Sequence, residues 1–106
     1  MATLESVRIL YPPEIEAEGF AIVQAADGRE IVLLKSDGQL RAIDRLCPHE
    51  DGDMGECSMV GAHIKCPVHG YIFDLSNGRC LNRQGYDAQI YEVEVDGDVV
   101  VLRPRH

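Results

Sequence analysis

Two short segments of the 106-residue chain each combine a thiol with an imidazole. They are Cys47-Pro48-His49 and Cys66-Pro67-Val68-His69, with sixteen residues between them. Cysteine thiolate and neutral histidine are common protein ligands for iron and zinc. In an extended Cys-x-His segment the two side chains lie on the same side of the backbone, about 6 to 7 Å apart. That separation lets one pair reach two neighbouring metal ions, so the first segment can straddle a binuclear cluster.

The residues around the second pair favour a tight loop. Pro67 removes a backbone donor and fixes φ directly after the thiol, and Gly70 allows close backbone approach after the imidazole. The pattern Cys-x-His, sixteen residues, Cys-x-x-His resembles the signature of the Rieske [2Fe-2S] family, and the resemblance covers nearly the whole chain. Segment 66–74, Cys-Pro-Val-His-Gly-Tyr-Ile-Phe-Asp, resembles the second cluster loop of Rieske-type ferredoxins, and Ser76-Asn77-Gly78 matches the turn that follows.

The resemblance implies one [2Fe-2S] cluster with mixed ligands. Cys47 and Cys66 would bind the inner iron. His49 and His69 would bind the outer iron, with their ring edges facing solvent. Two ferric ions, two sulfides, two thiolates and neutral imidazoles sum to zero charge, so reduction adds one negative charge. Backbone N–H groups near the sulfurs would stabilise that charge.

The implied function is one-electron transfer without a bound substrate. By resemblance, the protein would be a ferredoxin that carries electrons from a flavin-dependent NAD(P)H ferredoxin reductase to a terminal oxygenase of the aromatic-ring-hydroxylating type. Apart from the metal ligands and their neighbours, the sequence offers neither a nucleophile paired with a base nor a phosphate-binding loop. It therefore predicts a carrier and not an enzyme. A monomer is expected, since a shuttle docks alternately with two partners through one exposed tip.

Two other functions remain open at this stage. One is the small Rieske-like subunit of a nitrite reductase or another multi-subunit oxidoreductase, which would co-purify with a large catalytic chain. The other is a structural zinc module, which would be colourless and without a redox couple. Zinc fingers pair cysteine with cysteine and histidine with histidine over short gaps, whereas this chain pairs cysteine with histidine twice.

The residues after His69 predict a low reduction potential. High-potential members of the family place Ser two residues and Tyr four residues after the second histidine ligand, where hydrogen bonds from their hydroxyls raise the potential. This chain has Tyr71 and Phe73 at those positions. It also lacks the cysteine pair that joins the two cluster loops in those members. We therefore expect a potential near the low end of the Rieske range, about −150 mV.

The elements that must position these loops are short strands. Asp-Gly and Asn-Gly pairs at 27–28, 37–38, 77–78 and 96–97 predict hairpin turns, since glycine reaches positive φ at little cost. Runs of strand length lie close to them, at 20–25, 30–35, 40–46, 71–75, 89–95 and 99–103. Within 91–95, Tyr and Val alternate with Glu, which is typical of a strand with one buried and one exposed face. Residues 14–18 form at most one helical turn before Gly19.

The sequence therefore predicts an all-β fold for a single Rieske domain over residues 1–106. We expect the Rieske iron-sulfur fold: an antiparallel base of two small sheets, with a cluster-binding subdomain inserted at about 45–80. Residues 47–66 hold no predicted strand beyond a short run before Cys66, and a loop of that length in a compact domain is usually functional. Many relatives cover the cluster with a third loop that contains proline, whereas segment 78–85 contains none.

Composition and charge exclude several classes of partner. Ten Lys and Arg against 18 Asp and Glu give a formal charge of −8, which repels nucleic acid and anionic lipid. The first eight residues lack a basic segment followed by an apolar one, and the longest apolar runs are four residues long. Neither a signal peptide nor a membrane span is expected. We predict a cytoplasmic protein whose thiols stay reduced, so metal binding explains its cysteines better than disulfides.

Several residues near the ligands have interpretations other than metal binding. Cys57 and Cys80 are expected to be packing residues, with a bond between them or a redox-sensitive thiol as the alternative. His63 is expected to face solvent on a strand, and Tyr71 to pack inward after the second loop. An acidic cluster follows the first pair and is either a solvated loop or a docking rim for a basic partner. Its members are Glu50, Asp51, Asp53 and Glu56.

Overall fold

The computed structural model describes residues 6–25, 28–36, 38–46, 53, 58–60, 63–66, 70–82 and 87–105. Its elements are, in chain order, β1 (Val7–Leu10), α1 (Glu14–Glu18), β2 (Phe20–Gln24), β3 (Glu30–Ser36), β4 (Gln39–Asp44), β5 (Ser58–Val60), β6 (His63–Lys65), β7 (Ile72–Asp74), β8 (Ile90–Asp96) and β9 (Val99–Pro104). The paired strands run antiparallel. The chain is therefore built mainly of strands, as the sequence predicts.

The larger sheet has six strands in the order β1-β9-β8-β4-β3-β2. Its two three-stranded halves meet where β4 pairs with β8 over two residue pairs, Ala42 with Tyr91 and Ile43 with Ile90. The expected base of two small sheets thus takes the form of two halves of one sheet. The joint lies directly before the first ligand segment, because β4 ends at Asp44.

A separate three-stranded sheet, β5-β6-β7, is inserted between β4 and β8 in the chain. Its middle strand β6 pairs with both neighbours. Strand β6 ends at Lys65, one residue before Cys66, and β7 begins at Ile72. The connection between these two strands therefore contains the whole of the second ligand segment.

Two tight turns match the predicted Asp-Gly hairpins. Strands β3 and β4 are joined between Ser36 and Gln39, with Gly38 at a φ of +79°. Strands β8 and β9 are joined between Asp96 and Val99, and Gly97 has a φ of +62°. Glycine adopts this left-handed conformation at little cost, and the resulting twist matches that of the flanking strands.

The hydrophobic core consists of two clusters on opposite faces of the larger sheet. Ile31 and Leu33 belong to one cluster, whereas Val32 and Leu34 belong to the other. Successive side chains of a strand point to opposite faces, so β3 contributes to both. Ile15 of α1 completes the first cluster. The second cluster receives residues from in and around the smaller sheet: Ile64, Cys66, Phe73 and Leu75.

All six predicted strand runs match strands, with boundaries that agree within two residues. Strands β1 and β5 were not predicted, because they have only four and three residues, too few to show a clear alternation. Each depends on pairing with a neighbour, β1 with β9 and β5 with β6. The single helical turn is confirmed, and it ends at Gly19 with a φ of +84°. Val95 departs from the predicted alternation: it is 50% exposed, near the β8–β9 turn.

Within the ranges that the structure describes, no helix is both long enough and apolar enough to cross a membrane.

Candidate metal centre

Cys66 is fully buried directly after β6, with 0% of its surface exposed. Its backbone N–H donates to the carbonyl oxygen of Tyr71 at 2.7 Å, so the pairing of β6 with β7 extends to Cys66 and Tyr71. The Cys66 side chain belongs to the core cluster that contains Ile64 and Phe73. Burying a thiolate is costly unless a positive charge compensates it, and a ferric ion supplies that charge. The position therefore fits a thiolate bound to an interior iron.

The backbone before β7 depends on Gly70, which follows His69. Gly70 has a φ of +66°, and a Cβ at this position would lie 3.3 Å from Cε of Lys65. Both facts favour glycine, because other residues rarely adopt this conformation and a side chain here would press on Lys65. The positive φ is the stronger of the two reasons, since the end of the Lys65 side chain can move, and close backbone approach at Gly70 stays a prediction.

The residue before the first predicted ligand segment is paired with another part of the chain. Leu46 forms an isolated antiparallel bridge with Asp53. Arg45 donates from Nε and Nη2 to the two carboxylate oxygens of Asp53, each at 2.9 Å, and from Nη1 to Glu30 at 2.9 Å. The hydrogen bond to Asp53, ahead of the attraction of Glu30, holds the pKa of Arg45 above its usual range. This two-pronged ion pair fixes the geometry beside the bridge.

The Arg45 contact gives one member of the acidic cluster a structural role. Asp53 is paired within the protein, so Arg45 compensates its charge. The choice between a solvated loop and a docking rim for a basic partner stays a prediction. The other three acidic residues, Glu50, Asp51 and Glu56, lie outside the described residues.

A second hydrogen-bonded group lies behind the first loop. The hydroxyl of Tyr91 donates to Oδ1 of Asp44 at 2.5 Å and accepts from Nη1 of Arg29 at 2.5 Å. Burial, followed by the hydrogen bond to Asp44, raises the pKa of Tyr91 well above its usual range. Asp44 also donates its backbone N–H to Gln89 at 2.9 Å. The end of β4, three residues before Cys47, is therefore held from two sides.

Of the four predicted ligands, Cys66 lies in the described part of the chain, whereas Cys47, His49 and His69 lie outside it. The bases of both ligand loops adjoin one core, since Ile43 of β4 and Cys66 belong to the same cluster. Among the described residues taken alone, no three His, Cys, Asp or Glu side chains are grouped to hold a metal ion. The donor set of two thiols and two imidazoles, with one thiol buried at a loop base, fits a mixed-ligand iron-sulfur cluster.

Tyr71 and His63 lie as expected near the second loop. Tyr71 is partly buried and packs against the core, and Phe73 is fully buried within it. His63 is partly exposed on β6 and pairs across the sheet with Asp74. Hydrogen bonds from the side chain and backbone of Ser76 lower the pKa of Asp74, and the charge of His63 adds to that effect.

The segment after β7 contains a residue that the sequence analysis missed. Asn82 accepts a hydrogen bond from the backbone N–H of Ile72 and donates one to the carbonyl oxygen of Gly70, each at 3.0 Å. Cys80 is a free, partly buried cysteine whose thiol donates to Oδ1 of Asn82 at 3.4 Å. These contacts support the packing interpretation of Cys80, whereas Cys57 lies outside the described residues. A lone asparagine in a loop gives no sequence signal for such a role.

Comparison with known protein families also indicates an iron-sulfur protein. The model of the Rieske [2Fe-2S] domain matches residues 5–94, a range that includes all four predicted ligands. The chain belongs to the Rieske [2Fe-2S] family. A curated relative, the ferredoxin component of the naphthalene 1,2-dioxygenase system of Pseudomonas aeruginosa, is 30% identical over 86 residues, which are 80% of this chain and 83% of the relative. As a Rieske protein, the chain carries a [2Fe-2S] cluster.

Solved structures share this Rieske fold. The ferredoxin of carbazole 1,9a-dioxygenase from Nocardioides aromaticivorans matches with a TM-score of 0.75 and 20% identity, over 93% of this chain and 99% of that one. A chain in the complex of reduced oxygenase and oxidised ferredoxin of carbazole 1,9a-dioxygenase matches with a TM-score of 0.77 and 18% identity, over 95% and 96% of the two chains. The predicted all-β Rieske fold, with antiparallel sheets and an inserted cluster-binding region, is therefore confirmed.

Proposed function

We propose that this Rieske protein is a ferredoxin that transfers single electrons from a flavin-dependent NAD(P)H ferredoxin reductase to a terminal oxygenase. The observation that carries the proposal is the fully buried Cys66 at the bonded end of the β6–β7 hairpin, on the core that also receives β4. The relative from the naphthalene dioxygenase system is itself a ferredoxin component. A structural neighbour belongs to a complex of an oxygenase with its ferredoxin. Both support an oxygenase as the electron acceptor.

The ligands in this proposal are Cys47 and Cys66 for the inner iron and His49 and His69 for the outer iron. Two observations support this assignment: Leu46, the residue before Cys47 in the sequence, forms a β-bridge with Asp53, and the backbone N–H of Cys66 donates to Tyr71. When bound, the cluster supplies a one-electron redox couple. The chain would contribute two thiolates and two neutral imidazoles, and the core around Cys66 excludes water from its thiol.

The proposed potential is near the low end of the Rieske range, about −150 mV. Phe73 stands where high-potential relatives have a hydroxyl donor, and it is fully buried in the apolar core. Tyr71 stands at the serine position and packs against that core. A low potential suits a carrier that is reduced by nicotinamide through a flavin.

The remaining parts of the proposal concern the form of the carrier. We infer one Rieske domain over residues 1–106, with a cluster-binding subdomain at about 45–80, and the inserted β5-β6-β7 sheet supports this division. A monomer that docks through the cluster loops can exchange its reductase for its oxygenase. A cytoplasmic location keeps the ligand thiols reduced for cluster assembly. The chain is an electron carrier of a multicomponent system and not itself the catalyst.

The first experiment is an electron paramagnetic resonance spectrum of the dithionite-reduced protein, with a potential titration followed by circular dichroism. A signal of low average g-value and a midpoint near about −150 mV support the proposal. A midpoint well above zero would contradict the argument from Tyr71 and Phe73. A colourless protein with bound zinc would contradict electron transfer altogether.

The ligand assignment has its own test in His49→Cys and His69→Cys. We expect either substitution to abolish the low average g-value signal or the cluster itself, because a thiolate in place of an imidazole changes the charge and field of the outer iron. His63→Cys is the matched control, since His63 lies on β6 and pairs with Asp74. An unchanged spectrum and potential in either ligand variant would remove that histidine from the set.

A further inference from the structure

The segment after β7 runs back alongside that strand and reaches the second ligand loop. The backbone N–H of Asp74 donates to Arg79 at 2.9 Å, and Phe73 forms a β-bridge with Cys80. The N–H of Leu81 donates to the carbonyl oxygen of Ile72 at 2.7 Å. These contacts bring Asn82 beside Gly70 and the start of β7.

The side-chain amide of Asn82 makes two hydrogen bonds to the backbone on either side of Tyr71. Its Oδ1 accepts from Ile72 N–H and its Nδ2 donates to Gly70 O, both at 3.0 Å. A backbone N–H can only donate and a carbonyl oxygen can only accept, so the orientation of the amide is determined by these partners. We call this pair of bonds the Asn82 clamp.

The clamp acts on the residue that directly follows His69. Gly70 has a positive φ, and glycine has more backbone freedom than other residues, so a hydrogen bond to its carbonyl oxygen restricts a part of the chain that is otherwise permissive. Cys66 N–H donates to Tyr71 O, and the Asn82 clamp binds the residues on either side of Tyr71. The described residues before and after segment 67–69 are therefore held by separate hydrogen bonds.

We propose that Asn82 is a positioning residue for the cluster: it holds the loop that carries His69, and so keeps this imidazole in place for the outer iron. This inference rests on the proposed function, in which His69 is a ligand. The segment from 78 to 85 contains no proline that would stiffen it, and the amide of Asn82 supplies a specific hydrogen-bonded connection in that segment.

The test compares Asn82→Ala, Asn82→Asp and the control Asn77→Ala in the cluster-loaded protein. Asn77 is a matched control, because its Oδ1 also accepts from a backbone N–H, that of Arg79 at 2.9 Å, in the neighbouring turn. Asn82→Ala removes both bonds of the clamp. Asn82→Asp keeps an oxygen acceptor for Ile72 but replaces the donor to Gly70 with a second oxygen, so it isolates the bond next to His69.

We expect Asn82→Ala to lose visible cluster absorbance to EDTA about tenfold faster than the unmodified protein, the change that follows from two ordinary hydrogen bonds. Its reduced spectrum broadens, because the imidazole samples more than one orientation. Amide hydrogen exchange in the peptide spanning 70–72 accelerates by a similar factor. Asn82→Asp gives an intermediate rate of loss, and Asn77→Ala leaves absorbance loss, spectrum and exchange at 70–72 unchanged.

Two results would overturn the inference. One is equal cluster loss and an equal spectrum in Asn82→Ala and Asn77→Ala. The other is faster exchange at 70–72 with an unchanged spectrum and unchanged cluster loss, since the clamp would then hold the hairpin without affecting the ligand. Failure of the proposed function is a different observation: the unmodified protein itself would show no Rieske spectrum.

Discussion

At the scale of single residues, the hydroxyl of Tyr91 connects three parts of the chain. It lies between Arg29, which follows the β2–β3 turn, and Asp44, which ends β4. The guanidinium carbon of Arg29 also lies 5.7 Å from the centre of the Tyr91 ring. Tyr91 is 4% exposed, so its neutral hydroxyl is favoured over the phenolate.

Replacing Tyr91 should change the response of stability to alkaline pH. A raised pKa means that the folded state keeps a proton which the unfolded state loses at the ordinary value of 10.0. The resulting stability is complete below pH 10 and is lost as the pH rises toward the folded-state pKa. We expect Tyr91→Phe to lower the free energy of unfolding by about 1 to 2 kcal/mol at pH 8. Above pH 10 its stability should fall less steeply than that of the unmodified protein.

Urea unfolding at pH 8, 10 and 11 measures this effect. Tyr11→Phe is the comparison for an exposed hydroxyl: the hydrogen bond to Glu16 at 2.8 Å also raises the pKa of Tyr11, so we expect the same change in slope above pH 10 but a smaller one than in Tyr91→Phe. Parallel losses of stability above pH 10 in the unmodified protein and Tyr91→Phe would contradict the assignment of the proton to Tyr91.

At the scale of elements, the turn after β7 depends on a close backbone contact. Gly78 has a φ of +79°, and a Cβ there would overlap the carbonyl oxygen of Ala88. The N–H of Ala88 also donates to Gly78 O at 2.7 Å. The backbone of the turn therefore packs directly against the backbone of the segment that leads to β8. This contact connects the smaller sheet to the part of the larger sheet where β4 pairs with β8.

Gly78→Ala should be much more damaging than an alanine at another glycine of equal φ. We expect Gly78→Ala to cost about 3 kcal/mol of unfolding free energy, since strain and overlap add. Gly38→Ala should cost about 1 kcal/mol, because Gly38 shares the φ of +79° but has nothing within 4 Å of its added Cβ. Urea unfolding of both variants measures the difference in their free energies of unfolding. Equal losses would contradict the prediction, because they would show that the backbone at Ala88 moves to accommodate the added methyl group.

At the scale of the whole molecule, the charge of −8 favours encounter with basic partners. The Arg45 ion pair removes Asp53 from the charges available for this purpose. The proposed docking rim then consists of Glu50, Asp51 and Glu56, on and after the loop that carries His49.

Neutralising this rim should slow reduction by the partner, mainly at low salt. We expect the triple variant Glu50→Gln, Asp51→Asn and Glu56→Gln to associate about three- to tenfold more slowly at 10 mM salt. The difference should shrink toward 0.5 M salt, since the Debye length falls from about 30 Å at 10 mM to a few ångströms near 1 M. Stopped-flow reduction by the ferredoxin reductase measures it.

A control variant with the same net charge separates local steering from total charge. Glu14→Gln, Asp96→Asn and Asp98→Asn also change the charge from −8 to −5, at exposed positions of α1 and the β8–β9 turn. Equal slowing by both triple variants would assign the effect to net charge and leave the rim as a solvated loop.

The sequence by itself determined the family, its [2Fe-2S] cofactor and most strands. The proposed ligands Cys47, His49, Cys66 and His69 follow from spacing and residue type, a signal that needs no tertiary contact. Asp-Gly turns and alternating runs predict β3, β4, β8 and β9 for an equally local reason.

Tertiary structure alone decided how the ligand loops are held. The ion pair of Arg45 with Asp53, the hydroxyl of Tyr91 on Asp44 and the amide of Asn82 join residues that are 8, 47 and 10 or 12 positions apart. Polar side chains of these types are common on protein surfaces, so the sequence does not show which partner each of them binds. The packing of the two sheets determines those partners. The short strands β1 and β5 form for the same reason, because pairing with a neighbouring strand supplies the hydrogen bonds that their own few residues cannot.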